Sequence, residues 1–195
     1  PRDGVRWSEA REVLACYEAH GLPLPRSVST MFISDVSDYT AWMWSKWFSD
    51  PEAGRLSIGR LVEECIQKLD GALQDSSEPK LSLFSGHDST LVPLLAVLGV
   101  YDGAWPGYSS FVSFEVAEGP DGKVLARVVY NNEAQALSGI AKEDPGHWVS
   151  WEDLKAGLQK WIPSKYEREC RACGRGAERD LAALELASTL GGSDK

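Results

Sequence analysis

The segment LSLFSGHDSTLVPLLAVLG, residues 81–99, changes its hydrophobic pattern within a few positions and decides the fold class. Its first part, residues 81–85, is a short apolar run that predicts a strand. The polar turn GHDST follows, and the apolar run over residues 91–98 predicts a helix that Gly99 ends. A strand that leads through a tight turn into a helix is typical of an α/β fold.

His87 and Asp88 lie between the predicted strand and the predicted helix. Ligands of open α/β sheets bind at the carboxyl edge of the strands, and the N–H groups that open a helix favour an anion. His87 would then hold a phosphate oxygen, and Asp88 would give a proton to a leaving group. The local sequence leaves an alternative open, in which Asp88 caps the helix and His87 is a polar edge residue.

The rest of the chain predicts helices on both sides of a hairpin. Amphipathic patterns indicate helices over residues 8–19, 34–48, 57–73 and 148–161. Two apolar runs, residues 111–117 and 124–130, flank the turn GPDG and predict an antiparallel hairpin. The second helix contains Trp42, Trp44 and Trp47, which we expect to pack in the core or to cover a pocket.

Composition limits the classes of partner. The chain has 195 residues, of which 43% are hydrophobic, and its formal net charge is −9. An acidic surface repels nucleic acid and anionic lipid, so neither is expected as a general partner. The longest apolar run, residues 91–100, is too short to span a bilayer. The chain opens at Pro1 without Met or an apolar leader, so we expect no signal peptide at this end and an upstream part that was removed.

Four cysteines are too few and too scattered for a disulfide framework. Cys170 and Cys173 form one C-x-x-C, but a second pair of ligands, the usual requirement for zinc, is missing. We therefore expect no metal and no cofactor. A redox or zinc protein built on this pair is the least favoured hypothesis for the function.

A longer stretch, SGHDSTLVPLLAVLGVYDGAWPGYSSFVSFE over residues 85–115, resembles the histidine acid phosphatase family. The likeness consists of the His-Asp-Ser-Thr turn, the helix, the Tyr-Asp-Gly turn, the aromatic-Pro stretch and a strand that bears Glu. It continues through RLSIGRLVEECIQKL, VYNNEAQ and WEDLKAGLQKWIPSKYEREC, and covers roughly residues 22–170. The resemblance implies that residues 1–170 are the C-terminal portion of a histidine-phosphatase sheet with flanking helices. Residues 8–50 would form part of a helical cap, residues 55–170 the sheet and its helices, and residues 171–195 a tail.

The resemblance also implies roles for the two candidate site residues. His87 would stabilise the phosphoryl group, and Asp88 would protonate the leaving alcohol. The nucleophile of the family is a histidine in the motif R-H-G-x-R-x-P, and that motif is absent here. The nearest string, AHGLPLP at residues 19–25, lacks both arginines. We interpret His20 as a residue at the C-terminus of a helix and His147 as a surface residue.

Two explanations follow from the missing nucleophile. In the first, the chain is part of a phosphatase that an N-terminal half or a neighbouring chain completes. It would then hydrolyse phosphate monoesters through a phosphohistidine. In the second, the chain is a catalytically inactive subunit with a structural role in a larger assembly. Either way, a sheet without its first strands would expose an apolar edge that needs a partner.

The cysteines bear on the compartment. In secreted relatives a cysteine before the Leu-Pro stretch pairs with one after the aromatic-Pro turn. Here Cys16 matches the first position but Phe111 occupies the second, and Cys170 would need a partner in the absent half. Broken pairs favour a reducing compartment, so the sequence predicts the cytosol or an organelle interior such as the mitochondrion over secretion.

Overall fold

The computed structural model describes residues 5–74, 77–119, 121–137 and 146–171. Within these ranges the chain forms five helices and four strands. In chain order they are α1 (Trp7–Ala19), α2 (Thr30–Phe48), α3 (Pro51–Gln74), α4 (Asp88–Leu98), β1 (Val112–Glu118), β2 (Val124–Tyr130), β3 (Glu133–Ala134), β4 (Val149–Ser150) and α5 (Trp151–Gln159). The predicted tail lies outside the described residues except for Arg171.

Side-chain caps set where two of the helices begin. The helix α2 begins four residues before the predicted start, because Ser29 Oγ accepts a hydrogen bond from the Phe32 N–H at 3.1 Å. The helix α3 begins at Pro51, and Asp50 Oδ1 accepts the Glu52 N–H at 2.8 Å. Proline suits the first helical position because its missing N–H would have no partner there. The Asp50-Pro51 pair predicts a break after α2, and the structure has it, but α3 begins six residues before the predicted start at residue 57.

The sheet is open and antiparallel. The strands β1 and β2 pair from Val112 opposite Tyr130 to Glu118 opposite Val124, so the predicted hairpin is confirmed. The two short strands β3 and β4 also pair with β2. This mixture of helices and an antiparallel sheet fits the predicted α/β class, and the detailed histidine-phosphatase sheet stays a prediction.

The predicted strand over residues 81–85 is wrong. The segment is extended, but it pairs with no strand in the described part of the chain. Leu81 and Leu83 are 71% and 85% exposed, respectively, and Phe84 is 45% exposed. The sequence pattern is that of a buried strand, but a strand also needs a neighbour to satisfy its backbone N–H and C=O groups.

The hydrophobic core lies between the sheet and the helices α3, α4 and α5. Its most buried members include Val62, Leu95, Val128 and Leu154. A polar contact fastens α5 to α3, because Trp151 Nε1 donates to Asp70 Oδ1 at 2.8 Å and Lys155 pairs with the same oxygen at 3.1 Å. The core therefore holds α4, and with it the position of Asp88, against the sheet.

The tryptophans of α2 divide between two environments. Trp42 and Trp47 are each 54% exposed, which contradicts core packing for these two residues. Trp44 points inward and contacts Trp105 edge to face, with the ring centroids 5.2 Å apart. The buried face of α2 is formed instead by Ile33, Val36, Thr40 and Ala41. No helix in the described ranges has the length and apolar character that a membrane span requires.

Candidate functional site

A cleft of about 1020 Å³ runs along the extended segment, residues 81–86. Its walls come from α1, α3, α4 and the chain that leads into β1, and both His87 and Asp88 line it. The two residues predicted from the sequence thus lie together on one cavity wall, at the start of α4.

His87 is the N-cap residue of α4 and has an extended backbone, with φ −129° and ψ 172°. Its N–H donates to Thr90 Oγ1 at 3.3 Å, and its carbonyl oxygen accepts the Thr90 N–H at 2.9 Å. Thr90 therefore bonds back to the N-cap residue and stabilises the first turn of α4. The side chain of His87 is exposed at the cleft, where an incoming ligand can reach it.

The carboxyl group of Asp88 has protein donors on both of its oxygens. Oδ1 accepts the backbone N–H of Ser89 at 2.7 Å, and Oδ2 accepts the indole Nε1–H of Trp105 at 2.9 Å. Arg11 Nη1 lies 3.8 Å from Oδ2. The side chain remains 31% exposed. Asp88 is the first helical residue of α4 and follows the N-cap residue His87, so the predicted capping by Asp88 is wrong. Its carboxyl group also lines the cleft.

Arg11 and Trp105 belong to the site, and sequence reasoning missed both. The Arg11 guanidinium lies 4.8 Å above the Trp105 ring, and its Nη1 pairs with Glu12 Oε1 at 2.8 Å. Trp105 belongs to the aromatic-Pro stretch quoted above, which was its only sequence signal. Arg11 has none, because it lies on α1, far from Asp88 along the chain.

The cleft carries more positive fixed charge than the chain as a whole. Arg11, Lys68 and Lys80 line it, against the carboxylates of Glu12 and Asp88. The net charge of the whole chain is −9, so this local balance departs from the average surface. A cleft lined by excess positive charge favours an anionic ligand.

The wall formed by residues 106–114 contacts α1 through Cys16. The Sγ atom of Cys16 lies 3.9 Å from the Tyr108 hydroxyl oxygen, and this hydrogen bond raises the pKa of Tyr108. The predicted first cysteine position therefore lies close to the segment that contains Phe111. On the other side, Asn131 Oδ1 accepts the Phe111 N–H at 3.0 Å and fixes the end of this wall.

The remaining candidates lie away from the cleft. His20 is the C-cap residue of α1, which confirms its interpretation. His147 has a φ of 53° and is partly exposed, and its interpretation as a surface residue stays a prediction. Cys173 is outside the described residues. Within the ranges that the structure describes, no three metal-ligating side chains form a group that could hold an ion.

Comparison with known proteins finds acid phosphatases. The chain is 29% identical over 184 residues to lysosomal acid phosphatase of Bos taurus, which covers 92% of this chain and 44% of that protein. It is 30% identical over 132 residues to prostatic acid phosphatase of Bos taurus, covering 66% and 34%, respectively. Counting factor 60 of Dictyostelium discoideum is 25% identical over 133 residues, covering 68% and 32%. No family model matches the chain.

These relatives support the histidine acid phosphatase family as the group to which the chain is related. The chain spans less than half the length of the curated relatives it matches. Its position as a C-terminal half stays a prediction.

The predicted compartment is wrong. Relatives named for the lysosome and the prostate point away from the cytosol and the mitochondrion. The prediction relied on missing cysteine partners. A missing partner shows only that a particular disulfide cannot form, and it leaves the redox state of the surroundings undetermined.

Proposed function

We propose that the complete protein hydrolyses phosphate monoesters through a phosphohistidine and that this chain supplies His87 and Asp88 to the reaction. The observation that carries the proposal is the position of these two side chains, side by side at the start of α4 on the wall of a cleft with excess positive charge. The similarity to lysosomal and prostatic acid phosphatases supports the same reaction class.

Each residue has a distinct part in the proposed reaction. The exposed imidazole of His87 contacts an oxygen of the phosphoryl group, and the N-terminus of α4 adds a favourable field for that anion. As the phosphoryl group moves to the nucleophile, the P–O bond to the leaving alcohol breaks. Asp88 gives its proton to that oxygen and becomes a carboxylate.

We propose that the nucleophilic histidine and the phosphate-binding arginines come from the rest of the protein. A strand from the rest of the protein could pair with the extended segment 81–86. The backbone of this segment pairs with no described strand, and its apolar side chains are exposed. An added strand would satisfy those backbone groups and cover Leu81, Leu83 and Phe84.

Replacement of Asp88 tests the proposed reaction. In the complete protein, Asp88→Ala should lower kcat for an alkyl phosphate ester by about 10²- to 10⁴-fold, because the leaving alkoxide loses its proton donor. Inhibition by inorganic phosphate should stay within about twofold, since His87 and the arginines remain.

Asp102→Ala is the matched control for this experiment. Asp102 accepts the Ala104 N–H at 2.8 Å in the turn after α4 and does not line the cleft. Its loss should leave kcat unchanged. Unchanged turnover in Asp88→Ala would refute the role of Asp88.

A structural role is the second candidate, and one observation favours it. The R-H-G-x-R-x-P motif is absent from this chain. Mass spectrometry of everything that co-purifies with the chain separates the two candidates. A polypeptide that carries the motif supports the phosphatase, and its absence supports the structural role.

A further inference from the structure

We propose that Trp105 and Arg11 position the carboxyl group of Asp88 so that it donates its proton from Oδ1. The proposal rests on the function proposed above. It specifies which carboxyl oxygen of Asp88 donates the proton and which residues orient the carboxyl group. It makes Trp105 and Arg11 positioning residues that act through Asp88.

The two oxygens of Asp88 have different neighbours. Oδ2 faces the indole N–H of Trp105 at 2.9 Å and the guanidinium of Arg11 at 3.8 Å. Among the described residues, Oδ1 faces one uncharged donor, the backbone N–H of Ser89 at 2.7 Å. A proton on Oδ2 would oppose both an N–H donor and a cation, so the proton of the neutral acid resides on Oδ1.

The Trp105 indole, which donates to Oδ2, is itself held in place by contacts with two other side chains. The Arg11 guanidinium lies 4.8 Å from the Trp105 ring centroid, and the Trp44 ring meets it edge to face at 5.2 Å. Arg11 is only 12% exposed, and Glu12 pairs with its Nη1. Rotation of the indole away from Oδ2 would therefore break a cation–π contact and an aromatic contact together.

Orientation matters most when the leaving group needs a proton. In the transfer step the proton on Oδ1 moves to the bridging ester oxygen while the bond between that ester oxygen and phosphorus breaks. The phosphoryl group goes to an imidazole nitrogen of the nucleophilic histidine. An alkyl alcohol leaves with difficulty as an alkoxide, whereas p-nitrophenol leaves readily as its anion. A misaligned acid should therefore slow the first class of ester selectively.

The test is Trp105→Phe in the complete protein, which keeps an aromatic ring and removes the N–H donor. We expect kcat for an alkyl phosphate ester to fall about tenfold or more, with KM unchanged and kcat for p-nitrophenyl phosphate within about twofold. In an Asp88→Ala background the same change should have no further effect on either ester.

Trp151→Phe is the matched control, because Trp151 makes the same kind of bond to a carboxylate, Asp70 at 2.8 Å, away from the cleft. It should lower thermal stability without changing the ratio of the two rates. Should Trp105→Phe fail to fold, Arg11→Gln tests the same point and should show the selective loss at a smaller size, about threefold.

The outcomes separate the two proposals. Equal loss of both rates in Trp105→Phe, or no loss of either, would overturn the positioning role and leave the proposed function intact. A wild-type protein that hydrolyses neither ester would overturn the proposed function and this inference with it.

Discussion

The carboxyl group of Asp88 is held by hydrogen-bond donors of the protein and also lines the cleft. It accepts a backbone N–H of its own helix and an indole N–H from the chain before β1. Of the two alternatives that the sequence left open for Asp88, capping is excluded because His87 is the N-cap residue of α4, and the catalytic role stays a proposal. A carboxyl group that is fixed by two donors loses little conformational entropy when a substrate arrives.

How much of the site the sequence could predict depends on the separation of the residues. His87 and Asp88 are adjacent and lie in a recognisable turn, so the pattern predicts their shared position. Arg11 reaches Asp88 only because α1 packs against α2 and because Trp44 of α2 meets Trp105. The contact between Arg11 and Asp88 therefore depends on tertiary packing, and no pattern of residue spacing in the sequence predicts it.

The thiols of Cys65 and Cys16 should differ in reactivity. Burial and the nearby Glu64 raise the pKa of Cys65 to about 11. At pH 8 only about one thousandth of Cys65 is then in the reactive thiolate form, whereas the thiol of Cys16 is exposed to reagent. Iodoacetamide at pH 8, followed by peptide mass spectrometry, should label Cys16 well before Cys65.

The unfolded chain is the control for this prediction, because both thiols should react at similar rates in denaturant. Labelling of Cys65 at the same rate as Cys16 in the folded protein would contradict the packing of α3 along the cleft.

At the scale of elements, the packing of α3 against the end of α5 depends on Gly59. A Cβ atom at this position would overlap the Trp161 carbonyl oxygen and stand 2.7 Å from Pro163 Cδ. Backbone cannot move aside as a flexible side chain does. Gly59→Ala should therefore lower the free energy of unfolding by about 3 kcal/mol, measured by urea denaturation.

Gly71 in the same helix is the matched control. A Cβ atom there meets its nearest atom, Glu78 Cγ, at an ordinary 3.7 Å. Gly71→Ala should raise the free energy of unfolding by about 0.5 kcal/mol, because alanine restricts the unfolded chain and favours the helix. Similar losses in both variants would show that Gly59 is not a contact point between α3 and the end of α5.

The elements that the sequence predicted well are specified by residues within or next to them. The α2–α3 break contains Asp50 and Pro51, and the β1–β2 hairpin surrounds the sequence Gly-Pro-Asp-Gly, so local chemistry specifies both. The strand expected over residues 81–85 has no local determinant beyond its apolar residues. Its existence depends on a neighbouring strand, and the described residues offer none.

At the scale of the whole molecule, the exposed segment 81–86 predicts a difference between this chain alone and the complete protein proposed above. Alone, the chain should exchange the backbone amide hydrogens of these residues rapidly. In the native polypeptide they should exchange at least about a hundredfold more slowly, because a neighbouring strand would bond them. Amide exchange followed by mass spectrometry measures both. Equal rates would contradict strand addition at this segment.

The central claim is that the chain supplies the acid of a phosphatase whose nucleophile lies elsewhere, and trapping the phosphoenzyme tests it most directly. The native polypeptide would be mixed with a ³²P-labelled phosphate ester, quenched in alkaline denaturant and mapped by mass spectrometry. The account predicts one phosphohistidine, at a histidine other than His20, His87 and His147. Label on one of these three, or a protein that turns over the ester without any phosphohistidine, would contradict it.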